Sequence, residues 1–178
     1  MKAVVLIIDM INDFVTGVFG SKRAQDIVQN IRHLIEISHE KNVPVIYLQD
    51  AHSEGDPELA VFGEHAMRGT KGAETIEELA SEDDDFIIKK HQFSGFFQTE
   101  LDTILEKLDA DTLILAGVAT HICVCHTAAD AFFRGYRTVI VRDCVNASTE
   151  EEHRQGLAYM ERIYGAEIVG LSKVEELF

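Results

Sequence analysis

Three side chains with chemistry of their own follow short apolar runs. Asp9 comes after Ala3 to Ile8, Lys89 or Lys90 after Phe86-Ile87-Ile88, and Cys123 soon after Thr112 to Ala116. Together they are the parts of nucleophilic acyl transfer. A thiol attacks a carbonyl, a carboxylate takes its proton and returns it to a leaving amine, and a cation holds the pair ionised. Cys123 lies in Gly117-Val118-Ala119-Thr120-His121-Ile122-Cys123-Val124, which reads as a buried strand breaking through a turn of small residues into a helix. At a helix start the unpaired N–H groups and the macrodipole favour thiolate, the nucleophilic form. The same turn offers the backbone N–H groups of Ala119 and Cys123 to an acyl oxygen, and losing one such donor costs on the order of 3 kcal/mol. Each residue alone has a plainer reading, as core thiol, strand-end cap or solvated lysine; their joint position at strand ends carries the argument.

The elements that must hold them follow from periodicity. Ala3 to Ile8 is a continuous aliphatic run ending in Asp9, the pattern of a central parallel strand covered on both faces. After a loop around Gly17 and Gly20, residues Ile27, Val28, Ile31, Leu34 and Ile35 recur at helical intervals through about Ser38. Val43 to Leu48 is a second strand. Asp50 to Thr75 is a long connection, a length that in compact domains goes with function or mobility. A short helix near Glu74 to Ala80 and a solvated acidic turn over Glu82 to Asp85 precede the third strand. Helix Thr99 to Leu108, the fourth strand, helix Cys123 to Arg134, strand Thr138 to Val141, a helix ending about Tyr164 and strand Ala166 to Val169 complete the chain. Ser148 or Thr149, each with Glu three residues on, offers the last helix a capping box. Alternating strands and helices predict a parallel sheet covered on both faces, with the ligand beyond the carboxyl ends of the strands; the fold expected is a three-layer α/β/α sandwich with a mainly parallel six-stranded sheet in the Rossmann-like order 3-2-1-4-5-6.

Bulk properties narrow the partners. At 178 residues, 46% hydrophobic and 26% charged, the chain suits one domain over residues 1–178 with one compact core. A formal net charge of -15 disfavours nucleic acid and anionic membrane, so a small molecule is the expected partner. Three cysteines make no disulfide framework, and the polar turn at Asp9 comes too early for a signal peptide or membrane span; a cytoplasmic location is expected. Cys125 lies about 200° around a helix from Cys123 and should face elsewhere, which argues against a Cys123, Cys125 and His126 metal site.

The motifs resemble those of the isochorismatase-like cysteine hydrolases, a superfamily that includes nicotinamidases. Asp9-Met10-Ile11-Asn12-Asp13-Phe14 is similar to that family's D-M-Q-N-D-F, with Ile11 where Gln is common, and the resemblance makes Asp9 the general base. Gly117 to Val124 is similar to G-V-x-T-x-x-C-V, which makes Cys123 the nucleophile and implies a cis peptide bond from Val118 to Ala119. Lys90, Ser94, Gly95 and Phe96 fit K-x-x-x-S-[AG]-F, which selects Lys90 over Lys89. Asp50-Ala51-His52 with His65 resembles the nicotinamidase metal triad, although Trp and the further His and Pro of D-W-H-P-x-x-H are absent and Phe62 stands where Trp is frequent. Two imidazoles and a carboxylate suit zinc, iron or manganese.

The resemblance implies a cysteine amidohydrolase that cleaves a small amide to acid and ammonia through a thioester, without an organic cofactor. Nicotinamide is the leading substrate, with Phe14 and Phe62 as ring contacts. The alternatives are an amidase for a carbamoyl or ureido compound, or a small-ligand-binding member without turnover. Isochorismate hydrolysis fits less well, since that vinyl-ether reaction does not need the cysteine. A homo-oligomer, dimer or tetramer, is also implied.

Overall fold

The computed structural model describes residues 2–178. Its six strands are β1 (Ala3–Ile8), β2 (Val45–Asp50), β3 (Phe86–Lys90), β4 (Thr112–Val118), β5 (Arg137–Asn146) and β6 (Glu167–Val169). All pair in parallel, in the order β3-β2-β1-β4-β5-β6. The chain winds to one side of β1 and then to the other, so the order reverses between β1 and β4. In such sheets the crevice beyond that reversal is where ligands bind.

Alternation along the strands builds the two faces. Val5 and Ile7 of β1 pack on one side with Ile31 and Leu34 of α3 (Val28–Glu40), below which lies α2 (Lys22–Asp26). Val4, Leu6 and Ile8 pack on the other with Leu105 of α5 (Leu101–Lys107), Ala128 of α6 (Cys125–Phe133) and Met160 of α7 (Glu150–Tyr164). Each large aliphatic side chain taken fully out of water contributes about 1.5–3 kcal/mol, so this double-sided burial explains why β1 and β4 read as unbroken apolar runs. Two further short helices, α1 (Asn12–Val15) and α4 (Pro57–Phe62), lie in loops above the sheet. No helix among the described residues is long and apolar enough to cross a membrane.

Several local expectations are corrected. The second strand is displaced to Val45–Asp50, because Pro44 sits just ahead of it, and the fifth runs on to Asn146 rather than stopping at Val141. The helix near Glu74 to Ala80 is a single 3-10 turn, Glu77–Leu79, and the long connection contains α4. The acidic turn is not wholly solvated: the Asp85 side chain is 3% exposed, held by His39 Nε2 at 2.9 Å. Thr149 caps α7 with the reciprocal Glu152 bond, which settles the choice against Ser148.

Candidate active site

Gly117 lets the two central strands meet where the order reverses. Its φ is +117°, and a Cβ there would stand 1.9 Å from the Ile8 carbonyl oxygen, so no other residue fits. The Val118–Ala119 peptide bond after it is cis. Residues Thr120–Val124 then form a π-helical turn before α6 begins at Cys125. The helix therefore starts on both sides of the thiol rather than at it, and Cys123 is buried at 6% exposure.

Asp9, immediately after β1, has a left-handed φ of 54°, a conformation uncommon outside glycine and frequent at functional sites. The turn aims its carboxylate back under β2, where Oδ1 accepts the Asp50 N–H at 2.9 Å. Lys90, the last residue of β3, spans both acids: its Nζ lies 2.8 Å from Asp9 Oδ2 and 2.5 Å from Asp50 Oδ1. Cys123 Sγ and a carboxylate oxygen from each of Asp9 and Asp50 fall within 4.8 Å of one another. Lys89 points away, to Gln49. The fold thus brings Asp9, Lys90 and Cys123 together, and Lys90 rather than Lys89 joins them.

Burial sets the charges in this group. It pushes the Asp9 carboxyl up to about 7, with Asp50 adding to the effect and Lys90 and the Cys123 thiol opposing it. Burial also drives the Cys123 thiol well above its ordinary value, with Lys90 opposing. Desolvation alone would lower Lys90, but Asp50 and Asp9 hold its ammonium well above the usual range. The expectation that the helix start favours a resting thiolate is therefore corrected: an amide-rich turn does not outweigh near-complete removal from water. The resting group is a thiol beside a carboxylate that can take its proton.

A second cluster adjoins the first. Asp50, His52, Glu58 and His65 are all buried and each offers one ligand atom within 4.8 Å of the others. His52 Nδ1 bonds to Asp56 Oδ2 at 3.2 Å, and His65 Nδ1 to the Gly63 carbonyl at 2.7 Å. Both rings thus present Nε2 to the cluster. His52 Nε2 lies 3.8 Å from Asp50 Oδ2 and from Glu58 Oε2, beyond hydrogen-bond reach, and it and Glu58 Oε1 are buried without partners among the described residues. Burial, then Asp50, raises Glu58 to about 7, and burial lowers His52. Two imidazoles with outward N–H bonds and two carboxylates fit a divalent cation of the zinc, iron or manganese kind. Glu58 escaped the sequence reading because an acid behind Pro57 in a first helical turn looks like a complement to the helix dipole.

Between the clusters opens a cavity of about 400 Å³, lined by Cys123, Ala119, Asp50, Glu58 and His65 among others. Phe14 and Phe62 line it as expected, but so do Phe19 and Phe93, which no motif marks. The His65 ring lies 5.7 Å from Phe14, 5.0 Å from Phe19 and 6.4 Å from Phe62, so the metal-type cluster opens onto an aromatic wall. His121 and Glu152 line the same cavity. Cys125 is buried against the α7 side of the sheet and Cys144 on the opposite face, and His126 Nδ1 donates to the Ile122 carbonyl at 2.7 Å. Those three join neither cluster.

The long connection is clamped from the first motif. Asn12 Nδ2 donates to the carbonyls of Lys71 and Glu74, both at 2.9 Å, and Asp13 Oδ2 accepts the Ala66 N–H at 2.7 Å. The loop therefore delivers His65 to the cluster through bonds to residues that directly follow Asp9 and Met10.

Comparison with known proteins identifies the family and fold. The family model described as Isochorismatase domain matches residues 3–171. A probable inactive nicotinamidase of Arabidopsis thaliana is 32% identical over 89% of this chain and 87% of its own length. Among solved structures, N-carbamoylsarcosine amidase from Thermoplasma acidophilum superposes with a TM-score of 0.91 at 37% identity, covering 96% of this chain and 97% of that one. A pyrazinamidase of Pyrococcus horikoshii in complex with zinc superposes with a TM-score of 0.88 at 27% identity, over 96% of this chain and 99% of that one.

Proposed function

Because the chain belongs to the isochorismatase family of hydrolases, we propose that its residues 1–178 act as one domain that is a cysteine amidohydrolase for a small carboxamide, with nicotinamide the leading substrate. The observation that carries this reading is the contact of three buried groups from three strand ends: Lys90 with Asp9 at 2.8 Å, and Asp9 with the Cys123 thiol. Asp9 takes the thiol proton as Cys123 Sγ attacks the amide carbon. The N–H groups of Ala119 and Cys123 hold the oxyanion. Protonated Asp9 gives its proton to the departing nitrogen, ammonia leaves and a thioester remains. Asp9 then deprotonates a water, whose attack releases the acid and restores the thiol. Lys90 stabilises the Asp9 carboxylate and the negative charge that develops on Cys123 Sγ.

Asp50, His52, Glu58 and His65 would hold a divalent cation, and when bound it would supply a Lewis-acidic grip on a substrate ring nitrogen. The zinc-bound pyrazinamidase supports that assignment. Phe14, Phe19, Phe62 and Phe93 are suited to sandwich a flat ring and exclude water. Assembly as a homo-oligomer belongs to the same reading.

Ammonia release from nicotinamide, pyrazinamide and carbamoyl compounds tests it. The Cys123→Ala variant should lose on the order of a thousandfold or more in turnover. Undiminished ammonia release from that variant sinks the mechanism. A wild-type chain that binds nicotinamide without releasing ammonia favours the non-catalytic reading that a probable inactive relative keeps open.

A further inference from the structure

The lining of the cavity is acidic. Its titratable lining groups are Asp50, Glu58, His65, His121, Cys123 and Glu152, and no Lys or Arg lines it among the described residues. Lys90 lies behind the wall, engaged with Asp9 and Asp50. Arg23 bonds to Asn146 Oδ1 and the Ala147 carbonyl, but its charge is paired with Glu150 at 2.8 Å.

Glu152 and His121 both line the cavity and face one another. Glu152 Oε2 is consumed by the helix cap, accepting from the Thr149 N–H and hydroxyl. Its Oε1 faces His121 Nε2 at 3.8 Å, too far for a hydrogen bond, and His121 Nδ1 is buried without a partner. Gly156 of α7 lets that helix close on this point: a Cβ there would lie 3.1 Å from the His121 Cα. A cavity of about 400 Å³ exceeds what a single six-membered ring and its amide fill.

Resting on the amidase reading, we infer that Glu152 and His121 form a second recognition point, selecting amides that carry a cationic or N–H donor group within their reach and rejecting those that carry a carboxylate there. An ammonium or amino group bridges Glu152 Oε1 and the imidazole. A carboxylate placed there meets Glu152 with no Lys or Arg side chain lining the cavity to pair with it, in a chain whose net charge of -15 already repels anions.

Benzamide and its aminomethyl and carboxy derivatives place three charges on one scaffold. Calorimetric titration into the full-length Cys123→Ala variant reads binding without turnover. The aminomethyl compound should bind about tenfold tighter than benzamide and the carboxy compound at least about tenfold weaker. Adding Glu152→Gln, which retains the capping bonds, should erase the aminomethyl advantage, and Glu152→Lys should reverse the order. Equal affinity for the three compounds, no binding of any of them, or an advantage that survives Glu152→Gln overturns the inference. Failure of the amidase reading shows separately, as absence of ammonia release by the wild-type chain from compounds that bind.

Discussion

In the proposed mechanism Asp9 governs proton traffic, and its environment predicts a pH profile. Burial raises its carboxyl to about 7, so below that pH it is protonated and cannot accept the Cys123 proton. The expected outcome is a kcat/KM that falls about tenfold per pH unit below about 7, read from initial rates in the free-enzyme limit. Asp9→Asn should abolish turnover at every pH. An acid limb that persists in Asp9→Asn assigns it to another group. Asp56 acts one step removed, as a positioning residue: its bond to His52 Nδ1 keeps Nε2 turned to the cluster. Asp56→Ala should lower zinc affinity about 10- to 100-fold by chelator competition, and Asp56→Asn, which can still accept that bond, should recover part of it. Unchanged affinity in Asp56→Ala removes that role. At this scale the meeting of Asp9, Lys90 and Cys123 was legible in the sequence: apolar runs put Asp9, one of two lysines and Cys123 near strand ends, and the motif resemblance chose Lys90 over Lys89. Glu58, Phe19 and Phe93 were not, since their positions depend on how loops fold over the sheet. The resting protonation of Cys123 was misread for a related reason: helix position is visible in a sequence, and solvent access is not.

The first motif does two jobs at the level of elements. Asp9 joins Lys90 and Cys123 in the buried group, while Asn12 and Asp13 hold the loop that carries His65. Asn12→Ala removes two hydrogen bonds of about 0.5–1.5 kcal/mol each, and at roughly 2–4 °C per kcal/mol the melting temperature should fall by a few degrees. Zinc affinity should fall with it, because His65 is no longer delivered; unchanged affinity would mean the loop holds its shape without the clamp. Ser94 extends the same logic to the third motif, where its hydroxyl donates to Asp130 of α6 at 2.5 Å and ties the segment after Lys90 to the helix after Cys123. Strand and helix order came through the sequence because burial on two faces imposes long apolar runs and a 3.6-residue period. Boundaries did not, where a proline delays β2 or where β5 continues through the exposed Arg142 and Asp143. The π-helical start of α6 leaves no mark in residue pattern at all.

For the whole molecule, the reversal between β1 and β4 is the organising fact. It gathers groups separated by more than a hundred residues into one crevice, and the strand order 3-2-1-4-5-6 is the one expected of a Rossmann-like sheet. The homo-oligomer expected from the family resemblance should appear in light scattering as a dimer or tetramer mass at micromolar concentration, and a strictly monomeric mass would contradict it. Strong net negative charge should make association of anionic substrates slow and increasingly salt-sensitive. The claim on which all scales converge is that Cys123 becomes acylated. Intact mass spectrometry of the protein, acid-quenched during turnover of a small aromatic amide, tests it directly. The account predicts an adduct of the acyl mass that maps to the Cys123 peptide and is absent from Cys123→Ala; turnover with no adduct, at a rate that Cys123→Ala matches, would contradict it.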